Sequence, residues 1–87
     1  MKLTRHFEER WAERIGTPVP APGEVEEMKN DAIFIQRSRD LFTPTGRRYR
    51  ILALYWLPQE NLILKIDERR NVAVTIITPE TAAEEGV

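Results

Sequence analysis

Apolar residues recur every four positions at the start of the chain, where Leu3, Phe7, Trp11 and Ile15 make one stripe separated by polar residues. That spacing predicts an amphipathic helix with a single buried face. Thr4 is placed to cap it, since its hydroxyl can accept from an orphan N–H of the first turn. Gly16 is placed to end it, and Arg14 suits the negative end of the helix dipole. Pro18, Pro20 and Pro22 alternate through the next stretch, which reads as a stiff extended connector. A short second helix is predicted from Glu24 to Asn30. Glu24, Glu26 and Glu27 suit its positive end, while Val25 and Met28 share a side.

From Ala32 the period shortens to alternation. Ile33 to Arg39 reads as a first strand, and Thr43-Pro44-Thr45-Gly46 as a turn. Tyr49 to Leu57 is the strongest strand by composition, rich in aromatic and branched residues. Leu62 to Asp67 and Val72 to Thr78 complete a meander, with turns over Pro58–Asn61 and Glu68–Asn71. The expected fold class is α+β, two N-terminal helices packed on a four-stranded antiparallel sheet. Thr78-Pro79-Glu80 has the form of a helix start. The domain is expected over residues 1–79, and residues 80–87 form an acidic tail with little to bury, expected to fray.

Strict alternation assigns the faces of that sheet. Phe34, Tyr49, Ile51, Ala53, Tyr55, Leu62, Leu64, Ile66, Ala73, Thr75 and Ile77 fall on one side, which should receive the helices. The other side is apolar at one end (Ile33, Ile35, Leu52, Leu54, Trp56, Ile63, Val74, Ile76) and basic at the other (Arg37, Arg39, Arg48, Arg50, Lys65). An apolar area of that extent favours a homo-oligomer.

Composition narrows the chemistry. The chain of 87 residues has no cysteine, which rules out disulfides and thiolate metal sites. Its single histidine would leave a zinc site resting on carboxylates, so no metal and no cofactor are expected. No run reaches the ~18 apolar residues of a membrane span, and the first residues lack a secretory apolar region. A cytoplasmic location is the default expectation. The arginines are the strongest feature: ten against three lysines, five of them (Arg37, Arg39, Arg47, Arg48, Arg50) within fourteen residues, in a chain of net charge −1. Arginine binds phosphate and carboxylate through a planar fork. With Trp56 and other aromatic residues nearby, Arg37, Arg39, Arg48, Arg50 and Lys65 suggest a nucleic-acid-binding surface, with RNA as the partner. The bland reading of the same residues is a solvated hairpin whose charges discourage edge pairing. His6, one helical turn before Arg10, could move a proton beside a guanidinium in RNA cleavage; a half-exposed surface histidine is the bland alternative.

The pattern His6-Phe7-Glu8-Glu9-Arg10 with Arg14, the second helix, and the last strand Val72-Ala73-Val74-Thr75-Ile76-Ile77 resemble RelE/ParE-type toxins of the barnase–EndoU–colicin/RelE superfamily. The resemblance covers most of the chain in outline through short motifs. It implies a RelE-like fold, a metal-independent endoribonuclease and an antitoxin-like protein partner. It also implies catalytic roles for His6, Arg10 and the hydroxyl of Thr75. The chain departs from the family in its slightly acidic balance and in the absence of an aromatic residue from Pro79 to Val87. The reading from a different class is a noncatalytic protein-interaction module or mobile-element accessory protein, with the arginines meeting an acidic partner.

Overall fold

The computed structural model describes residues 1–84. In chain order the elements are β1 (Lys2–Leu3), α1 (Arg5–Arg14), α2 (Pro22–Asp31), β2 (Ile33–Gln36), β3 (Arg39–Phe42), β4 (Arg48–Ile51), β5 (Ala53–Leu57), β6 (Leu62–Asp67), β7 (Val72–Ile77) and α3 (Pro79–Glu84). The fold is α+β. A five-stranded sheet runs in the order β1-β7-β6-β5-β2, and β3 and β4 form a separate two-stranded ribbon.

The four-stranded antiparallel sheet expected from the sequence is corrected on three counts. First, the sheet is mixed, because β1 adds to it in parallel to β7. Two residues are too few to show a period, so Lys2 and Leu3 read as a lead-in to the helix. Second, the first two expected strands each break. Ile33 to Arg39 divides around Arg37 and Ser38, and Tyr49 to Leu57 divides at Leu52, so the distal halves leave the sheet as the ribbon. Third, a third helix, α3, lies on the sheet. Of the expected tail, residues 80–84 belong to this helix, with Ala82 buried, and residues 85–87 lie outside the described residues.

α1 forms where the stripe placed it. Thr4 caps it, accepting from the Phe7 N–H at 3.0 Å, and its own hydroxyl donates to the Val74 carbonyl at 2.6 Å. Phe7 is fully buried, and its ring stacks on Trp11 with centroids 6.0 Å apart. The Trp11 indole N–H is satisfied by the Thr17 hydroxyl at 3.1 Å. α2 starts earlier than expected, with Pro22 in its first turn, where a missing N–H costs nothing. Glu24 reaches back to accept from the Ala21 N–H at 3.1 Å. The main core joins Phe7, Trp11 and Val25 to Ala53, Leu57, Leu62, Leu64, Ile66, Ala73 and Ile76.

Four-residue loops join β5 to β6 and β6 to β7, with Asn61 and Asn71 at φ 54° and 55°. Asparagine tolerates that left-handed conformation better than other side chains do, which suits it to the last turn position. A bulge then breaks the alternation in β7. Lys65 faces Thr75, whereas Ile66 faces Ala73, leaving Val74 as the extra residue. Ile76 therefore joins the helix-side core, while Thr75 and Ile77 turn to the opposite face, the reverse of the expected assignment. On that opposite face Leu54, Ile63 and Ile77 are covered by Ala82 of α3, so much of the expected exposed apolar area is buried.

Because Trp11 is 6 % exposed in the centre of the α1 contact, Trp11→Ala should destabilise the domain by ~3–5 kcal/mol. Urea unfolding measures this directly, and an unchanged midpoint would show that α1 does not carry the core.

Candidate anion-binding site

The breaks after β2 and before β5 create a corner, and polar groups fill it. At the corner of β2 and β3, the Ser38 N–H donates to Glu68 at 2.8 Å, and its hydroxyl accepts from the Glu68 N–H at 3.3 Å. The Gln36 side chain donates to the Leu52 carbonyl at 2.9 Å, at the break between β4 and β5. Glu68 also accepts from the Tyr55 hydroxyl at 3.2 Å. Burial, and then the charge and hydrogen bond of Glu68, push the Tyr55 phenol above its ordinary pKa, so it remains the donor. Lys29 lies over the same ring at 5.5 Å from its centroid.

Arg50 ties the ribbon to the sheet. Its guanidinium donates to Asp67 at 2.9 Å and to Asp40 at 3.3 Å. Asp67 is 5 % exposed, the one buried charged side chain among the described residues. Burial alone would raise its pKa, but hydrogen bonds from Arg50 and from the Arg70 N–H outweigh that and hold it below the usual carboxylate value. The same contacts raise Arg50, led by its hydrogen bond to Asp67. Asp40 accepts in addition from Arg69 at 3.3 Å. An open cavity of about 390 Å³ lies here, lined by Arg37, Ser38, Arg39, Asp40, Arg50, Asp67, Glu68 and Arg69.

The local balance of charge is positive. Residues 37–50 and 67–70 hold seven arginines against Asp40, Asp67 and Glu68, a net of +4. The remaining six basic residues meet eleven acids, a net of −5, and the two sets give the chain's −1. All three acids of the positive end are engaged by its own groups, as described above. Arg37, Arg39, Arg47 and Arg48 are exposed, and the side chains of Arg69 and Arg70 are 66 % and 73 % exposed. Partly exposed apolar groups stand among them on the ribbon: Leu41, Tyr49 and Phe42, the last 69 % exposed.

The sequence-based assignments fare unequally. Arg37, Arg39 and Arg50 line one cavity, and Arg48 stands on the same ribbon. They do not share one face, however. Arg39 is opposite Ile51, one position out of phase with the Asp40–Arg50 pair, so Arg39 points to one side of the ribbon and Arg48 and Arg50 to the other. Arg50 is an internal clamp, not a free anion contact. Lys65 sits in β6 between Leu54 and Thr75, on the sheet face that α3 partly covers. His6 and Arg10 lie on the outer side of α1, where Arg10 approaches His6 at 3.5 Å and pairs with Glu13 at 3.1 Å. Thr75 lies on the sheet face turned away from α1, so His6, Arg10 and Thr75 are not brought into one site. Sequence reasoning missed Asp67, Glu68, Arg69, Arg70, Ser38 and Tyr55. The run Asp67-Glu68-Arg69-Arg70 was legible as a charged turn, but nothing in it marks Asp67 as buried.

No group of His, Cys, Asp and Glu suited to a metal ion occurs among the described residues. No helix among them is long and apolar enough to cross a membrane. Comparison of the chain with family models, curated proteins and solved structures gives no match.

Removing Arg50 leaves Asp67 buried with weaker partners. Arg50→Gln should therefore lower the melting temperature by at least about 5 °C, read by circular dichroism; no change would show that the clamp is ornamental. The depressed Asp67 also fixes a pH dependence. Its contribution to stability is complete above the ordinary carboxylate value of about 4 and is lost as pH falls through its lower folded value. Asp67→Asn should flatten the acid limb of the stability profile below about pH 4. An unchanged limb would assign acid sensitivity to other carboxylates.

Proposed function

We propose that the arginine end binds RNA in single-stranded form, with the β3–β4 ribbon and the β6–β7 turn as its contact surface. The observation that carries this reading is the separation of charge: the three acids of that end are engaged by its own groups, and six arginines are exposed, four of them (Arg37, Arg39, Arg47 and Arg48) outside those ion pairs. Outward guanidinia attract phosphates by counterion release, and exposed Phe42 and Tyr49 supply the flat apolar surfaces on which unpaired bases stack. A β-ribbon is also a shape that nucleic-acid binders use. The resemblance of the His6–Arg10 motif and the last strand to RelE/ParE-type toxins supports RNA over other polyanions. It is also the basis for proposing a RelE-like fold and a bacterial setting.

The reading is binding and not cleavage. His6, Arg10 and Thr75 do not converge, and ribonuclease action through them would need a rearrangement of α1 against the sheet. The alternative, a noncatalytic protein-interaction module, would use the same exposed arginines to meet an acidic partner.

Arg39→Gln combined with Arg48→Gln removes one outward arginine from each side of the ribbon and leaves the Arg50 clamp in place. RNA affinity should fall at least about tenfold, with the log–log salt slope reduced by roughly 1.4, since each phosphate contact on a single strand contributes about 0.7. Fluorescence anisotropy with a labelled single-stranded RNA at two salt concentrations reads both quantities. Equal affinity of the variant, or no binding by the wild type at low salt, would remove the nucleic-acid reading.

A further inference from the structure

The five-stranded sheet has two ends of very different character. At one end is β1, only two residues long, which offers little to a further strand. At the other end is β2, Ile33-Phe34-Ile35-Gln36, hydrogen-bonded only to β5. Ile33, Phe34 and Ile35 are 51 %, 50 % and 44 % exposed. The strand carries no charge and no proline, two of the devices that keep an edge from pairing. Its one irregularity is a bulge between Phe34 and Gln36 that leaves Ile35 as the extra residue without a partner on β5, so the outer ladder is short.

We propose that a second copy of this chain pairs with β2 in antiparallel register, with Phe34 opposite the partner's Phe34 across a twofold axis. Charge at the two ends of the strand selects the occupant. Asp31 ends α2 just before the strand and Arg37 follows it, so antiparallel approach of a second copy sets the acidic end of one strand beside the basic end of the other, and twofold symmetry does so twice. Asp31, at the end of α2, and Arg37, just after β2, are both exposed. The same register puts Ile33 opposite the partner's Ile35. Ile33 lies across from Trp56, and Ile35 lines a groove of about 270 Å³ with Trp56 and Ile63, so like faces meet. On the other face Phe34, already edge-on to Tyr55 at 5.5 Å, meets its symmetry mate. Each chain thus presents a segment complementary to itself in both shape and charge, as an isologous interface requires. So short a ladder belongs with micromolar association.

Because the chain has no cysteine, Phe34→Cys places a single thiol on the axis. Directly opposed Cα atoms in an antiparallel pair are about 4.5–5.5 Å apart, within disulfide reach. Mild oxidation of the RNA-free protein should convert Phe34→Cys into a covalent dimer. Tyr49→Cys, at a similarly exposed site on the ribbon (52 %), should stay largely monomeric. Sedimentation velocity should show wild-type dimer forming in the micromolar range. Arg37→Asp should weaken it at least about tenfold, and adding Asp31→Arg should restore it. A wild type that is monomeric up to several hundred micromolar, equal cross-linking at both thiols, or no rescue by the charge exchange would each overturn the proposal.

Discussion

The ion pair between Arg50 and buried Asp67 is the constraint on which the arginine end depends. Where the chain breaks after β2 and before β5, the ladder that would have held β3 and β4 to the sheet is lost, and they pair with each other. Four polar ties replace it: Gln36 to the Leu52 carbonyl, Ser38 to Glu68, Arg69 to Asp40, and Arg50 to Asp67. The last two join ribbon and body with full charges on both sides, and of these Arg50–Asp67 has the buried carboxylate. A buried carboxylate is costly unless it is paired and hydrogen-bonded, and Asp67 meets both conditions through Arg50 and the Arg70 N–H. Such a pair adds little net stability over an apolar substitute but strongly penalises arrangements that separate it. Its effect is to fix where the ribbon stands.

That division of labour explains how a slightly acidic protein can present a cationic surface. Arg50 is consumed with Asp67 and Asp40, and Glu68 is occupied by Ser38 and Tyr55. The acids of this end are therefore engaged in internal contacts, Asp67 buried and Asp40 and Glu68 half-buried, while the remaining arginines are exposed. Most of the other acids are on α1, α2 and the loops remote in sequence from the ribbon. Net charge hides this arrangement, because summing over the chain cancels two ends that a ligand meets separately. A polyanion responds to the local field within a Debye length of about 8–10 Å, and not to the total.

Much of the framework was legible in the sequence. The four-residue stripe from Leu3 to Ile15, the Thr4 cap and the Asn-terminated turns each rest on local chemistry, and local chemistry is what a single chain displays. The errors in the faces of the sheet share one cause, the assumption that alternation continues. One extra residue at Val74 reversed Thr75, Ile76 and Ile77, and a break at Leu52 moved Tyr49 and Ile51 off the sheet. Neither leaves a local signature. The Val74 bulge is stabilised from far away, its carbonyl taken by Thr4 some seventy positions earlier. The arginine cluster was visible as composition, but which arginine would be internal was not. That depended on Asp67 being buried seventeen residues beyond Arg50, a matter of tertiary packing alone.

The two proposed surfaces meet at Arg37, which follows the edge strand β2 and also lines the arginine cavity. In an antiparallel twofold pair the ribbons leave from opposite ends of the shared ladder. The two arginine ends then lie apart and do not merge into one patch, and Asp31 of each chain neutralises the Arg37 nearest the axis. A short oligonucleotide would therefore gain nothing from the dimer and would lose one contact per site. A longer strand able to span both ends would bind the second site intramolecularly, at an effective concentration set by its length. Dimerisation in the proposed geometry would convert a local anion site into one that discriminates by the length of the single strand. It would do so without any base-specific contact, because the distance between two fixed cationic ends would carry the selectivity.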